Sequence, residues 1–233
     1  MPESVVRKKF TLVELMIVLA ILTLLLSILY PSLTKAREQT RRALCKSNQQ
    51  QIAQAVSFYS GINNGRISMG IDEGSYQASY MFNSGNDGHT FSYYSYFKED
   101  LIGAPEIWYC PSNKSEFFQY NGKVNRWPPV NGKTKTRAAY NNKAVLDGAD
   151  HPLYPSLSTL SSQSLLSDIV SRRGLYDQHH KNGSNVLFLD GSSVWAELPL
   201  IEDLLNTMSR YHATGNNANF LKMFKKFDSL CID

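Results

Sequence analysis

Residues 10–30 read FTLVELMIVLAILTLLLSILY, and Glu14 is the only charged side chain among them. A helix of that length spans roughly 30 Å, the thickness of the hydrocarbon core of a bilayer. A helix that is apolar on every face lies either in a membrane or in the core of a large protein. The length of the run favours the membrane over a buried core helix, so the sequence predicts one membrane span at 10–30.

The residues around the span indicate its orientation. Arg7, Lys8 and Lys9 come directly before it, and basic residues stay on the cytoplasmic side, so the chain after the span is expected on the far side of the membrane. Glu14 lies inside the apolar run, where a carboxylate costs up to roughly 2.5–3.5 kcal/mol. The neighbouring apolar side chains offer no partner, so we expect one from another chain or from a newly exposed amino terminus.

The segment KKFTLVELMIVLAIL, residues 8–22, resembles the class III signal of type IV pilins and type II secretion pseudopilins. The resemblance implies that a prepilin peptidase cuts between Lys9 and Phe10 and that the new amino group of Phe10 is methylated. It also implies that Glu14 pairs with the amino terminus of a neighbouring subunit during assembly, and that Pro31 bends the helix. The family usually has Gly before the cut, where this chain has Lys9.

An ordinary secretory signal peptide is the main alternative for this segment. Its apolar core would be about 7–15 residues long and would be followed by a small-x-small cleavage site. The apolar run here is longer, and residues 30–33, Tyr-Pro-Ser-Leu, offer no such site. The sequence therefore favours a retained anchor, which the resemblance places in the inner membrane with the leader, residues 1–9, in the cytoplasm and the head in the periplasm.

The composition describes an ordinary globular protein beyond the span. The chain has 233 residues, of which 42% are hydrophobic and 19% charged, enough for one medium-sized domain or two small ones. Its formal net charge is +4, and the leader contributes +2 of this, from Arg7, Lys8 and Lys9 against Glu3. The remaining charge is too small to indicate a nucleic-acid partner.

The pattern after the span predicts an α+β fold. Residues 31–60 continue the helix in amphipathic form, with Leu44, Asn48, Ile52, Val56 and Tyr59 on one stripe, before a Gly- and Asn-rich segment stops it. Residues 61–198 predict a β-rich head with a mostly antiparallel sheet, including a short apolar strand at 107–111 and a short helical piece at 93–101. Residues 199–233 predict a helical tail whose apolar side chains pack on the head rather than lie on a membrane.

A second recognisable segment lies near the carboxyl end. Residues 185–189, then Asp190-Gly191, then residues 193–198 predict a hairpin whose first strand is apolar on both faces and therefore buried. His180, nine residues and then Asp190-Gly191 are similar to the carboxyl-terminal signature of planctomycete-type pilin-like proteins. The segments around Cys45 and at Cys110-Pro111-Ser112 also resemble that family.

His179, His180 and Asp190 are the one cluster that could suggest an enzyme. Because no nucleophile elbow, metalloprotease motif or phosphate loop accompanies them, we expect structural roles and no catalytic activity. His180 is expected to fix the hairpin by a hydrogen bond, and Asp190 to occupy a tight turn. Related pseudopilins hold calcium in the head, but no calcium loop spacing is present. The available oxygens are those of Asp147, Asp150 and Asp168.

Three cysteines in an exported protein allow one disulfide and leave one thiol. A bridge between Cys45 and Cys110 would join the helix to the sheet. Two buried free thiols are the equal alternative, because sequence alone does not give connectivity. Cys231 would then be the odd cysteine.

These observations favour a structural subunit of a type II secretion or type IV pilus-like filament. Its expected partners are other pilin-like subunits, the prepilin peptidase and the membrane, and no cofactor is expected. Two further classes stay open. One is a membrane-anchored periplasmic binding protein for a polysaccharide or secreted substrate, and the other is a tethered hydrolase that uses His180 and Asp190.

Overall fold

A computed structural model describes most of the chain and divides it into two units, residues 1–40 and 41–233. The described residues are 10–68, 81–84, 92–101, 103–130, 135–143, 156–160, 163–168, 173–207 and 215–230.

The first helix, α1, extends over Leu12–Ile62 and confirms the predicted long helix. It continues through Pro31 in its interior. After its last residue the backbone turns left-handed, with φ 55° at Asn64 and 76° at Gly65, a conformation that Gly and Asn adopt at low cost. The Gly65 N–H then donates to the Ser60 carbonyl at 2.8 Å, which satisfies one carbonyl of the last turn.

The remaining elements are short. The strands are β1 (Met81–Ser84), β2 (Lys135–Arg137), β3 (Tyr140–Asn142), β4 (Ser164–Asp168), β5 (Gly183–Phe188) and β6 (Ser193–Glu197). The helices are α2 (Ser92–Lys98), α3 (Arg173–Tyr176), α4 (Leu198–Thr207) and α5 (Gly215–Asp228), with 3-10 turns at Pro105–Trp108, Glu116–Phe118 and Leu157–Leu160.

The strands form an antiparallel sheet in the order β3-β4-β5-β6, and β1 and β2 form a separate antiparallel pair. β5 and β6 are the predicted hairpin, with Val186 opposite Val194. A long helix with an antiparallel sheet confirms the predicted α+β class.

Two hydrophobic cores lie on the two faces of this sheet. Leu187 of β5 belongs to the core that contains Ile52 and Val56 of α1. Its neighbours Val186 and Phe188 belong to the core built with α4 and α5. Because side chains alternate across a strand, the consecutive apolar residues Val186, Leu187 and Phe188 serve both cores. This explains the predicted burial of the strand, which the structure confirms.

The buried stripe of α1 is displaced by one residue from the predicted one at its first two positions, where Cys45 and Gln49 replace Leu44 and Asn48. Leu44 was expected inside, but half of its surface is exposed, at 51%, while Cys45 is fully buried. Cys45, Gln49, Ile52, Val56 and Tyr59 follow the spacing of one helix face. Sequence reasoning preferred Leu44 and Asn48 because a buried glutamine in the centre of a stripe needs partners that no local pattern reveals.

The expected strand at 107–111 is wrong. Pro105–Trp108 is a 3-10 turn with a proline in its first turn, followed by extended Tyr109. A fixed proline φ suits the start of a helical turn. The turn directs the Trp108 side chain into the core, where its ring meets Phe82 and Tyr93 edge-on at 5.4 and 4.8 Å between centroids. A short apolar run does not distinguish these two outcomes.

The tail packs on the head, as predicted. Met223, Phe224 and Phe227 of α5 are buried in the second core. Asp228, the last residue of α5, accepts a hydrogen bond from the Ser164 N–H at 2.7 Å. Its other carboxylate oxygen accepts one from Lys143 Nζ, also at 2.7 Å. Met208 and Cys231 lie outside the described residues.

Gly183 begins β5 at a place with no room for a side chain. A Cβ there would lie inside van der Waals contact of the Ala196 carbonyl and the Trp195 ring. Gly183→Ala is therefore expected to lower the free energy of unfolding by about 1–3 kcal/mol, measured by chemical denaturation of the detergent-solubilised chain. Gly174→Ala is the matched control, since a Cβ there meets nothing within 4 Å. Equal stability of both variants would contradict the prediction.

Candidate functional site

The amino-terminal half of α1 presents an apolar surface on all sides. Every residue from Phe10 to Tyr30 is exposed, with Phe10 at 83% and Tyr30 at 75%. Among the described residues this is the one helix that is long and apolar enough to cross a membrane. The predicted span is thus present as a candidate membrane-spanning helix near the amino terminus.

The threonine and serine hydroxyl groups of this segment are hydrogen-bonded within the segment. Thr23 Oγ1 donates to the Ala20 carbonyl at 2.9 Å, and Ser27 Oγ donates to the Leu24 carbonyl at 2.7 Å. Hydroxyls that bond back to the preceding turn need no water. A helix in lipid must satisfy its polar groups internally. Glu14 is then the one strongly polar side chain left in this segment.

Glu14 makes a capping box with Thr11. Its Oε2 accepts from the Thr11 N–H and from Thr11 Oγ1, both at 2.9 Å, while the Glu14 N–H donates to Thr11 Oγ1 at 3.2 Å. This reciprocal pair satisfies donors at the start of the helix. Sequence reasoning looked only at apolar neighbours and missed it, although Thr11-x-x-Glu14 is the recognised signature of this cap.

The cap uses only half of the Glu14 carboxylate. Within the described residues Oε1 accepts no hydrogen bond, while Oε2 accepts two. An ionised carboxylate has about four acceptor positions. Glu14 can therefore keep its cap and still accept a cation or an ammonium group at Oε1. Lys9 lies outside the described residues, so the expected cut before Phe10 stays a prediction.

The carboxyl-terminal signature has its two halves in different surroundings. Asp190 is exposed in the turn after β5, where its Oδ1 accepts from the Ser192 N–H at 2.8 Å, and Gly191 has a φ of 85°. This is the tight turn expected for the pair. His180 is fully buried beside Cys45 and Cys110 instead. The arrangement gives no support to catalysis by His180 with Asp190.

Four polar side chains meet in the interior next to α1. Cys45 forms a disulfide with Cys110, with 5.4 Å between their Cα atoms. His180 Nε2 lies 3.4 Å from Cys45 Sγ, 3.5 Å from Cys110 Sγ and 3.7 Å from Asp168 Oδ2. We call Cys45, Cys110, Asp168 and His180 the buried cluster.

The Asp168 carboxylate is held by neutral donors. Oδ1 accepts from Gln49 Nε2 at 3.2 Å, and Oδ2 accepts from the Asn185 N–H at 2.6 Å. Burial, and secondarily the charge of Asp168, raise the pKa of Tyr140 well above its ordinary range. A buried carboxylate with this support stays ordered and orients the groups around it.

Sequence reasoning named Asp168 only as one of three oxygens for calcium. Asp147 and Asp150 lie outside the described residues. Asp168 lies in the buried cluster, where two cysteines and a histidine replace the oxygens that calcium requires. Gln49 was missed altogether, because it meets Asp168 across 119 positions of sequence and no local signal marks such a pair.

The aromatic ring of Trp195 packs against His180. Their ring centroids lie 5.6 Å apart in an edge-on arrangement. The Arg42 guanidinium lies over the Trp195 ring, 3.8 Å from its centroid. Such stacking of a cation on an indole is favourable. The indole of Trp195 thus contacts both Arg42 and His180.

Comparisons with family models, with curated proteins and with solved structures gave no match to this chain.

Proposed function

We propose that this chain is a pilin-like structural subunit of a type II secretion or type IV pilus-like filament, anchored in the inner membrane with its head in the periplasm. In this proposal a prepilin peptidase cuts between Lys9 and Phe10, and the freed amino group of Phe10 is methylated. Other pilin-like subunits, alike or different, are its partners. The chain acts by assembly and carries out no reaction of its own.

One observation carries the proposal: Glu14 is the single charge of an exposed apolar helix, and its Oε1 has no hydrogen-bond partner among the described residues. An unpaired charge in lipid costs free energy. Ionisable side chains in membrane spans therefore usually pair with another polar group and mark a functional site. An amino terminus supplied by a neighbouring subunit would neutralise Glu14. Stacking of subunits would therefore be coupled to relief of that cost.

The amino-terminal sequence supports the proposed orientation, with the leader in the cytoplasm and the head in the periplasm. Arg7, Lys8 and Lys9 would keep the leader in the cytoplasm. The periplasm permits disulfides, which fits the pairing of Cys45 with Cys110. The disulfide joins α1 to the segment after Trp108, so it would hold the helix against the head.

The proposal is tested by site-specific photo-crosslinking in cells. A photoreactive amino acid at Val18, which is exposed on α1, is expected to give a ladder of covalent multimers when the prepilin peptidase is present. Cells that lack the peptidase provide the control, and there the ladder should disappear. A chain that is cut at Phe10 but gives only monomers would contradict the proposal.

A further inference from the structure

We propose that the buried cluster is a metal site: when Cys45 and Cys110 are reduced, they bind one zinc ion together with Asp168 and His180. The disulfide is then the oxidised state of the same four residues. The proposal is independent of filament assembly.

The four ligands converge from separate segments of the head. Cys45 comes from α1, Cys110 from the loop after the first 3-10 turn, Asp168 from the end of β4 and His180 from the loop before β5. All four are buried. Their ligand atoms all lie within 4.8 Å of one another, and no other such group of three or more metal-binding side chains occurs in the described ranges.

The distances from the histidine match a tetrahedral site. His180 Nε2 lies 3.4, 3.5 and 3.7 Å from Cys45 Sγ, Cys110 Sγ and Asp168 Oδ2. A tetrahedron whose ligands lie about 2.0–2.3 Å from a zinc ion has edges of about 3.3–3.8 Å. These three distances therefore need almost no adjustment, whereas the two sulfur atoms, bonded in the disulfide, must separate to about 3.8 Å when the cysteines are reduced.

The geometry also excludes a catalytic triad. In a nucleophile–histidine–carboxylate triad the nucleophile and the carboxylate occupy opposite ring nitrogens. Here both sulfurs and the carboxylate face the same atom, Nε2 of His180. The two sulfur atoms and the carboxylate therefore lie with Nε2 of His180 as ligands of one metal ion would.

The surroundings of Asp168 resemble those of a metal-ligating carboxylate. Gln49 Nε2 and the Asn185 N–H each donate to it, and such outer hydrogen bonds orient ligands and tune metal affinity. Gln49 Nε2 also lies 3.3 Å from the Asn185 carbonyl, so the glutamine is itself fixed. Gln49 would act as a positioning residue.

The ligand set selects the metal. Two thiolates, an imidazole and a carboxylate suit zinc, and they do not suit calcium or magnesium, which prefer oxygen ligands in larger numbers. A phosphine reductant gives two electrons to the disulfide and becomes a phosphine oxide, while water supplies the oxide oxygen and the two protons, so that two thiols form. Binding of Zn²⁺ then releases those two protons as both thiols become thiolates.

Cobalt titration of the full chain tests the site directly. The detergent-solubilised protein carries Cys231→Ser, is reduced with a phosphine without oxygen, and is titrated with Co²⁺. We expect one equivalent to give a thiolate-to-cobalt charge-transfer band and the intense visible bands of tetrahedral cobalt, both removed by added Zn²⁺. Native mass spectrometry should show one zinc bound and two protons lost. Reduced protein without these bands would overturn the proposal.

Variants identify the ligands. Asp168→Asn and His180→Ala should each remove or shift the tetrahedral spectrum, and Gln49→Met should weaken zinc about 10–100-fold. His179→Ala is the matched control, because His179 is also buried but packs its ring against Phe118. Asp168→Asn is nearly isosteric, so it decides the matter if His180→Ala does not fold. A wild-type spectrum in a folded Asp168→Asn or His180→Ala chain would refute the assignment.

Discussion

A chain with Glu14→Gln should insert into the membrane as the natural chain does and assemble about tenfold less efficiently. Glutamine at this position still completes the capping box with Thr11, so the start of α1 is preserved. It lacks the negative charge that would attract a neighbour's amino terminus. Loss of about 1.4 kcal/mol per subunit contact is a factor of ten in its equilibrium constant, and a buried charge pair can contribute more.

The measurement compares multimer yield with membrane content in the same cells. Membrane content is the amount that resists carbonate extraction, and multimer yield is the crosslinked fraction. Glu14→Ala, which removes both cap and charge, should impair assembly at least as much. Glu38→Gln removes a carboxylate later in α1, outside the predicted span, and serves as the matched control. Normal assembly of Glu14→Gln would mean that Glu14 serves only to cap its own helix.

The second large effect concerns the disulfide. Replacing Cys45 and Cys110 by alanine should lower the free energy of unfolding by about 4 kcal/mol, because the bridge closes a loop with a sequence separation of 65. For a head of this size that corresponds to a fall in Tm of about 8–16 °C. The alanine pair also removes two buried sulfur atoms, so the measured loss should not be smaller.

Thermal unfolding followed by circular dichroism, with a chelator present, measures this effect. Cys231→Ala is the matched single-cysteine control and should leave Tm unchanged. Reduced natural protein should lose stability like the alanine pair and regain it when zinc replaces the chelator, since a ligand that binds only the folded state stabilises it. An alanine pair as stable as the natural protein would contradict the account of the bridge.

The elements that sequence reasoning located were those with strong local signals. The apolar run before Pro31 and the glycines and asparagines after residue 60 delimited α1 to within two residues at each end. The Asp190-Gly191 pair located the β5–β6 hairpin. These signals involve residues that are close together in the sequence, so they can be recognised without knowledge of the rest of the chain.

The errors and omissions arose where tertiary contacts decide. Trp108 lies in a 3-10 turn because the aromatic core around Phe82 accepts its ring there. The buried cluster includes Asp168, whose partners Gln49 and Asn185 come from distant segments. Thr11 is different, since its cap with Glu14 was readable from spacing alone.

Determination of the amino-terminal residue tests the central claim most directly. The membrane-extracted protein would be analysed by mass spectrometry from cells with and without the prepilin peptidase. The account predicts a chain that begins at methylated Phe10 when the peptidase is present and retains Lys9 when it is absent. An intact leader in both strains would contradict it, because Glu14 could then never meet a freed Phe10 amino group of a neighbouring subunit.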